Sequence, residues 1–297
     1  MGLVGLVGLV GLVGLVGGFA RITRIATVVA VLVVSVNAQS IKTGRTKSGI
    51  AYDIQGKGPV VVLITGSNLD RRMWAREREW LAPHFTVVRY DLRAHGQSET
   101  ATAPFDHVSD LFAVLDELAI SKATLIGLSA GSTIALDAAL AAPARVERLV
   151  LIGPSISGFT QQERPPFFAD LVSALQARDF KKAAEVLLAT PVFAVPPQEQ
   201  ALVRQMVTEN DRLWSVPPHL MKQPERPAIY RMDEVKAPTL VMIGEKDAYQ
   251  QIHALLLTKY IPNARMIAIA GGGHLLNLTS PTEFRLAVLQ FLKKPLN

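Results

Sequence analysis

From about residue 50 the chain alternates between short apolar runs and longer stretches in which apolar positions recur every three or four residues. Val60–Thr65, Thr86–Tyr90, Ala123–Leu128, residues 148–152, Thr239–Gly244 and Arg265–Ala270 are the short runs. Their length and their β-branched content predict buried strands. An extended segment near Ile50–Ile54 precedes them, and Gly56-Lys57-Gly58-Pro59 makes the turn between it and Val60. Helices fit the intervals at 72–82, at 130–142 and from Asp106 to Leu118. The last has an aspartate suited to an N-cap and apolar residues at 108, 111, 112, 115 and 118. Strand and helix alternating at these intervals predict a mostly parallel sheet.

From Ser155 to Met232 the strand pattern stops. Prolines come in pairs (Pro165-Pro166, Pro196-Pro197, Pro217-Pro218), with helical stretches near 167–176, 180–188 and 197–213. The chain therefore divides into a first core segment (39–154), a helical insertion (155–232) and a second core segment (233–297). Phe159, Phe167, Phe168, Phe193 and Trp214 are the aromatic stock of the insertion. They either line a substrate site, with Phe159, Phe168 and Trp214 as the candidates, or form the insertion's own core.

The N-terminus follows another pattern. Residues 2–16 are five Gly-Leu-Val triplets, a low-complexity repeat. Arg21 and Arg24, the apolar stretch 25–36 and the Val36/Ala38 pair then read as a secretory signal peptide cleaved after Ala38. That implies a periplasmic or secreted protein without stable membrane association. An N-terminal membrane anchor is the alternative, since Met1–Ala20 reaches the ~20 residues of a span.

Composition suits an enzyme-sized core. Of 297 residues, 49% are hydrophobic, and the net charge is +6, two units of which lie in the N-terminal segment. No Lys/Arg block suggests nucleic acid. There is no cysteine, so no disulfide constrains the fold. No histidine/carboxylate cluster has metal-ligand spacing and no glycine-rich phosphate loop occurs, so neither metal nor cofactor is expected.

The candidate chemistry starts at Gly127-Leu128-Ser129-Ala130-Gly131, between an apolar run and a helical one. A serine flanked in this way by small residues fits a sharp strand-to-helix turn. Such a turn lifts Oγ above the sheet at a helix N-terminus. A nucleophilic serine needs a base and a group that orients the base. Asp247 follows the strand that ends at Gly244, and His274 follows Gly271-Gly272-Gly273 after the next strand. Glu245 competes with Asp247 for the acid, and Asp91 is a further candidate.

These residues resemble the α/β-hydrolase superfamily over nearly all of 45–297, in particular its serine-nucleophile esterase and lactonase members with a helical cap. Val60–Ser67 is similar to that family's oxyanion strand and turn. Arg89–Ser98 is similar to its D-x-R-G-H-G-x-S loop, and Lys236–Leu240 to its entry into the acid strand. The resemblance implies an α/β-hydrolase fold with residues 155–232 as the cap and a triad of Ser129, Asp247 and His274. The oxyanion hole would be the backbone N–H groups of Ser67 and Ala130, and His95 would pack near the oxyanion turn. Two residues depart from the family: Thr65 stands for its usual histidine, and Ala94 for its glycine.

The expected reaction is hydrolysis of a small carboxylic ester or lactone through an acyl-enzyme, without a cofactor. The same triad also serves cofactor-free perhydrolases and carbon–carbon bond hydrolases, and a ligand receptor can retain it.

Overall fold

The central strands are buried on both sides, which their sequences anticipate. The computed structural model describes residues 40–160 and 165–294. In β3 (Val60–Ile64), Val62 and Ile64 enter one apolar layer while Val61 and Leu63 enter the other. β5 (Ala123–Leu128) divides in the same way, with Leu125 on one face and Ile126 and Leu128 on the opposite one. Period-two alternation between two dry faces is what helices covering both sides of a sheet require.

Eight strands form the sheet. The others are β1 (Lys42–Arg45), β2 (Ala51–Gln55), β4 (Thr86–Tyr90), β6 (Val146–Ile152), β7 (Thr239–Gly244) and β8 (Ala264–Ile269). Their order is β1-β2-β4-β3-β5-β6-β7-β8. β1 and β2 run antiparallel, and every pairing from β4 to β8 is parallel. The sequence direction reverses between β3 and β5. In an open α/β sheet, ligands bind at such a switch point, outside the carboxyl ends of the strands.

Helices α1 (Ala75–Leu81), α2 (His107–Glu117), α3 (Ala130–Ala141), α7 (Gln251–Tyr260), α8 (Leu276–Thr279) and α9 (Pro281–Leu292) belong to the core segments. Asp106 caps α2 by accepting the Ser109 N–H at 2.7 Å. The stretch expected as one helix from Arg72 begins instead as a 3-10 turn over Arg71–Trp74. Asp70 caps that turn, and the α-helix starts only at Ala75. Between β6 and β7 the chain carries α4 (Phe168–Gln176), α5 (Phe180–Leu188), α6 (Pro197–Glu209) and several 3-10 turns, with no strand among the described residues. The stretch expected as helix to Leu213 breaks at Asn210, after which Asp211–Ser215 is 3-10.

The described residues belong to one compact unit. The repeat, signal-peptide and anchor expectations fall on residues outside those described. Among the described residues, no helix is long and apolar enough to cross a membrane.

Candidate active site

Ser129 sits where β5 turns into α3, with φ 55° and ψ −118°. A non-glycine residue at such angles is strained, by roughly 1–3 kcal/mol, and keeps them only when its surroundings enforce them. Those surroundings are identifiable. The Ser129 N–H donates to Ile152 O at 2.9 Å. The buried Ser132 hydroxyl donates back to Ser129 O at 2.6 Å and accepts the Ser155 N–H at 3.1 Å. Strand and helix also touch. A Cβ on Gly127 would lie 2.2 Å from Gly131 O, and one on Gly131 would lie 2.4 Å from Ile64 O. The small flanking residues are therefore a steric requirement of this turn.

The loops after β7 and β8 bring the other two candidates together. His274 Nδ1 lies 2.7 Å from Asp247 Oδ2, and both side chains are buried. A carboxylate only accepts, so Nδ1–H donates, and a neutral imidazole then holds its lone pair on Nε2. Gly153, just past β6, lies against this pair. A Cβ there would be 2.8 Å from His274 Nδ1 and 2.9 Å from Asp247 Oδ2, and its φ is +46°. The strand end that accepts the Ser129 N–H is thus followed directly by the residue on which the Asp247–His274 pair rests. In the sequence Gly153 is only a strand end before proline.

Glu245 is engaged elsewhere, accepting the Gly271 N–H at 2.8 Å. Asp91 accepts the Arg71 N–H at 2.9 Å and the Gln97 N–H at 2.8 Å, and pairs with the Arg71 guanidinium. Burial raises the Asp91 carboxyl above its ordinary range, with Arg71 pulling the other way. It orders the 93–98 loop.

The turn after β3 carries Ser67, which is exposed, and Asn68, which is buried at φ 62°. His95 holds this turn. Its Nδ1 donates to Arg93 O at 2.9 Å, which leaves Nε2 to accept the Asn68 N–H at 3.1 Å. Burial depresses the His95 pKa, in keeping with that neutral tautomer. Ala130 is the first residue of α3, so its N–H has no intrahelical acceptor. No described residue accepts from the Ser67 N–H. Thr65 is fully buried, and its hydroxyl has no partner among the described residues. Ala94 takes φ 64° in the interior, so the exchange of the family's glycine places an alanine in the left-handed region.

A cavity of about 720 Å³ opens on this arrangement and is lined by Ser129, Ala130, Ser67 and His95. Its walls come from α2, α3 and the 221–231 segment of the insertion. That segment is laid over the core by Phe105, whose N–H donates to Leu220 O and whose carbonyl accepts the Lys222 N–H, both at 2.8 Å. Two titratable groups in the wall are displaced by burial. Asp137 is raised to about 6 against its hydrogen bond with Ser157, and His107 is lowered to about 4. Among the described residues no group of three or more His, Cys, Asp or Glu side chains is placed to hold a metal ion.

The aromatic candidates lie elsewhere, since none of Phe159, Phe168 and Trp214 lines this cavity. Phe159 packs on His253 at a centroid distance of 4.4 Å, and Trp214 on Phe180 at 5.8 Å. Phe168 opens α4. The aromatic lining is instead Phe112 and His107 of α2. The Asp106 cap was the available signal for α2, but not for which of its faces meets the cavity.

Relatives agree with this architecture. A Caulobacter segnis protein named for carbamate hydrolysis is 26% identical over 84% of this chain and 99% of its own length. A 2-hydroxy-6-oxononadienedioate/2-hydroxy-6-oxononatrienedioate hydrolase of Burkholderia vietnamiensis is 28% identical, over 84% of this chain and 92% of its own. Among solved structures, a hydrolase from Pseudomonas aeruginosa superposes with a TM-score of 0.69 at 26% identity. The match spans 87% of this chain and 100% of that one. The family model for the alpha/beta hydrolase family matches residues 61–287, and the chain belongs to that family.

Proposed function

We propose that this protein is a serine hydrolase that cleaves a small carboxylic ester or lactone through an acyl-enzyme. The observation that carries the reading is the buried 2.7 Å bond between His274 and Asp247 in the loops after β7 and β8, together with a strained serine at the end of β5 that lines a cavity. Ser129 attacks the carbonyl carbon while His274 Nε2 takes its proton. Asp247 fixes the imidazole tautomer and stabilises the imidazolium. The carbonyl oxygen, now negative, receives the N–H groups of Ser67 and Ala130. One such donor is typically worth ~3 kcal/mol of barrier. His274 then protonates the leaving alcohol, and water, deprotonated by the same nitrogen, releases the acid.

The cavity sets the size of the substrate. Thr133, Ile134, Asp137 and Leu140 of α3 form one wall, which extends about 16 Å from the elbow at 1.5 Å per residue. Arg231 binds Leu140 O at 3.1 Å at the far end. The walls therefore suit an ester or lactone with an apolar body and a polar group remote from the carbonyl.

Relatives named for carbamate and carbon–carbon bond hydrolysis give a second reading, because the same triad could serve either. The test is a panel of p-nitrophenyl esters, lactones, carbamates and vinylogous diketones. The ester or lactone reading expects kcat/KM for one of those two classes to exceed the others at least tenfold. Preferential cleavage of a carbamate or diketone overturns it. We also propose export with removal of the N-terminal segment. N-terminal sequencing of secreted or periplasmic protein should begin at Gln39, and an intact N-terminus overturns that.

A further inference from the structure

One side chain of the insertion grips the oxyanion turn. Asn210 ends α6 and is fully buried. Its amide nitrogen donates to Met206 O at 2.8 Å, to Asp70 Oδ2 at 3.0 Å and, more weakly, to Asn68 O at 3.4 Å. Its amide oxygen accepts the Gly96 N–H at 2.6 Å. Asn68 and Asp70 belong to the turn after β3, next to Ser67. Gly96 belongs to the loop whose His95 accepts the Asn68 N–H. Asn68 is therefore held at its N–H by His95 and contacted at its carbonyl by Asn210, in a left-handed conformation that a non-glycine residue keeps only under such constraint.

The partner groups on this face are already committed. Hydrogen bonds from Arg72 and Asn210 outweigh the burial of Asp70 and hold its carboxyl below the usual range, so it is charged and available to accept. Arg72 also pairs with Glu209, the residue before Asn210, at 2.7 Å. Arg212 donates to Gly96 O at 2.6 Å. The 209–212 segment thus clasps two loops, and of Glu209, Asn210 and Arg212 it is Asn210 that hydrogen-bonds Asn68.

We propose that Asn210 is a positioning residue that couples the seating of the cap to the aim of the Ser67 N–H. The inference rests on Ser67 being an oxyanion donor. An amide is suited to this place because it donates to a carbonyl and a carboxylate while accepting from a backbone N–H. Aspartate, of the same size, keeps the acceptor for Gly96, loses both donors and sets a second carboxylate against Asp70. Purely structural support would lower stability without selecting the transition state. Support of the oxyanion turn lowers kcat, and it weakens a tetrahedral analogue more than a ground-state ligand.

The experiment compares Asn210→Asp, Asn210→Ala and Arg212→Ala with wild type on p-nitrophenyl butyrate, with phenylboronic acid as the tetrahedral probe and thermal unfolding as the fold check. Asn210→Asp carries the test where Asn210→Ala does not fold. Both Asn210 variants are expected to lose 10- to 100-fold in kcat with KM within threefold, and to lose boronate affinity by a similar factor. Arg212→Ala, which loosens the same segment without reaching Asn68, is expected to keep kcat within twofold. Unchanged kcat in folded Asn210→Asp overturns the proposal. So does a loss of kcat without loss of boronate affinity, or the same pattern in Arg212→Ala. Ser129→Ala separates the two levels. Turnover that survives it removes the serine mechanism and this inference together, whereas turnover that needs Ser129 but not Asn210 removes this inference alone.

Discussion

Gly153→Ala changes one hydrogen into a methyl group and should disable most of the site's turnover. The added Cβ would lie 2.8 Å from His274 Nδ1, 2.9 Å from Asp247 Oδ2 and 2.9 Å from His274 Cε1. Ordinary carbon contacts begin near 3.4 Å. The pair or the strand end must therefore give by about half an ångström. Misplacing reacting groups by about 1 Å can cost ~100-fold, and losing the acid's control of the tautomer costs ~10⁴-fold. A partial displacement should therefore lower kcat about 10- to 100-fold and leave KM nearly unchanged, because Gly153 does not line the cavity. The φ of +46° adds a backbone penalty of ~1–2 kcal/mol for alanine, visible as lost stability. Gly271→Ala separates the two effects. Gly271 has φ +67°, and a Cβ there would meet nothing within 4 Å. It should lose comparable stability and keep its kcat. Steady-state hydrolysis of p-nitrophenyl butyrate with thermal melts of both variants is the assay. Wild-type kcat in Gly153→Ala, or an equal loss in Gly271→Ala, refutes the reasoning.

Asp247→Asn should lower kcat by about 10³- to 10⁴-fold, since the wrong tautomer of His274 is then favoured. Glu245→Gln, at a side chain that accepts the Gly271 N–H, should stay within a few-fold, and the reverse ranking in the same assay would make Glu245 the acid. Thr65→Val replaces a buried hydroxyl that has no partner among the described residues by a methyl group. Urea unfolding should show a gain of ~1 kcal/mol with kcat within threefold, and a loss of activity would give the hydroxyl a direct role. Burial raises the Glu77 carboxyl from 4.5 to about 7, despite a hydrogen bond from Asn277. The native state thus holds a proton that the unfolded chain has released. Its contribution is complete below about pH 4.5 and is lost as pH rises through 7, to a total of roughly 3 kcal/mol. Glu77→Gln should flatten that part of the decline in urea unfolding between pH 5 and 8, and an unchanged slope would refute it.

The legible part of this protein is the part whose signals are local. The runs 123–128 and 239–244 are strands at those same bounds, because a strand buried on both faces writes an unbroken apolar run. β1, with the sequence Lys-Thr-Gly-Arg and a largely exposed surface, carries no such run and was not anticipated. Ser129, Asp247 and His274 each follow a strand at a glycine-marked turn, so their positions could be read without knowing how the strands pair. What the sequence does not contain is which distant surfaces meet. Gly153 matters through residues 94 and 121 positions away, and Asn210 through residues more than 100 away. For the aromatic residues of the insertion, docking decides which face meets the cavity. Apolar spacing marks a packed face but does not name what it packs against, so Phe159 and Trp214 could be read as lining when their neighbours are His253 and Phe180.

The central claim is that Ser129 carries the acyl group, and chemical labelling combined with turnover tests it most directly. Wild-type protein and Ser129→Ala are treated with a fluorophosphonate, digested and read by mass spectrometry, with ester or lactone hydrolysis followed in parallel. The account predicts one adduct, on the peptide containing Ser129, activity that disappears in proportion to labelling, and a Ser129→Ala enzyme that takes no label and turns over at least ~10⁴-fold more slowly. An adduct on another residue, or a folded Ser129→Ala protein with wild-type turnover, would contradict it.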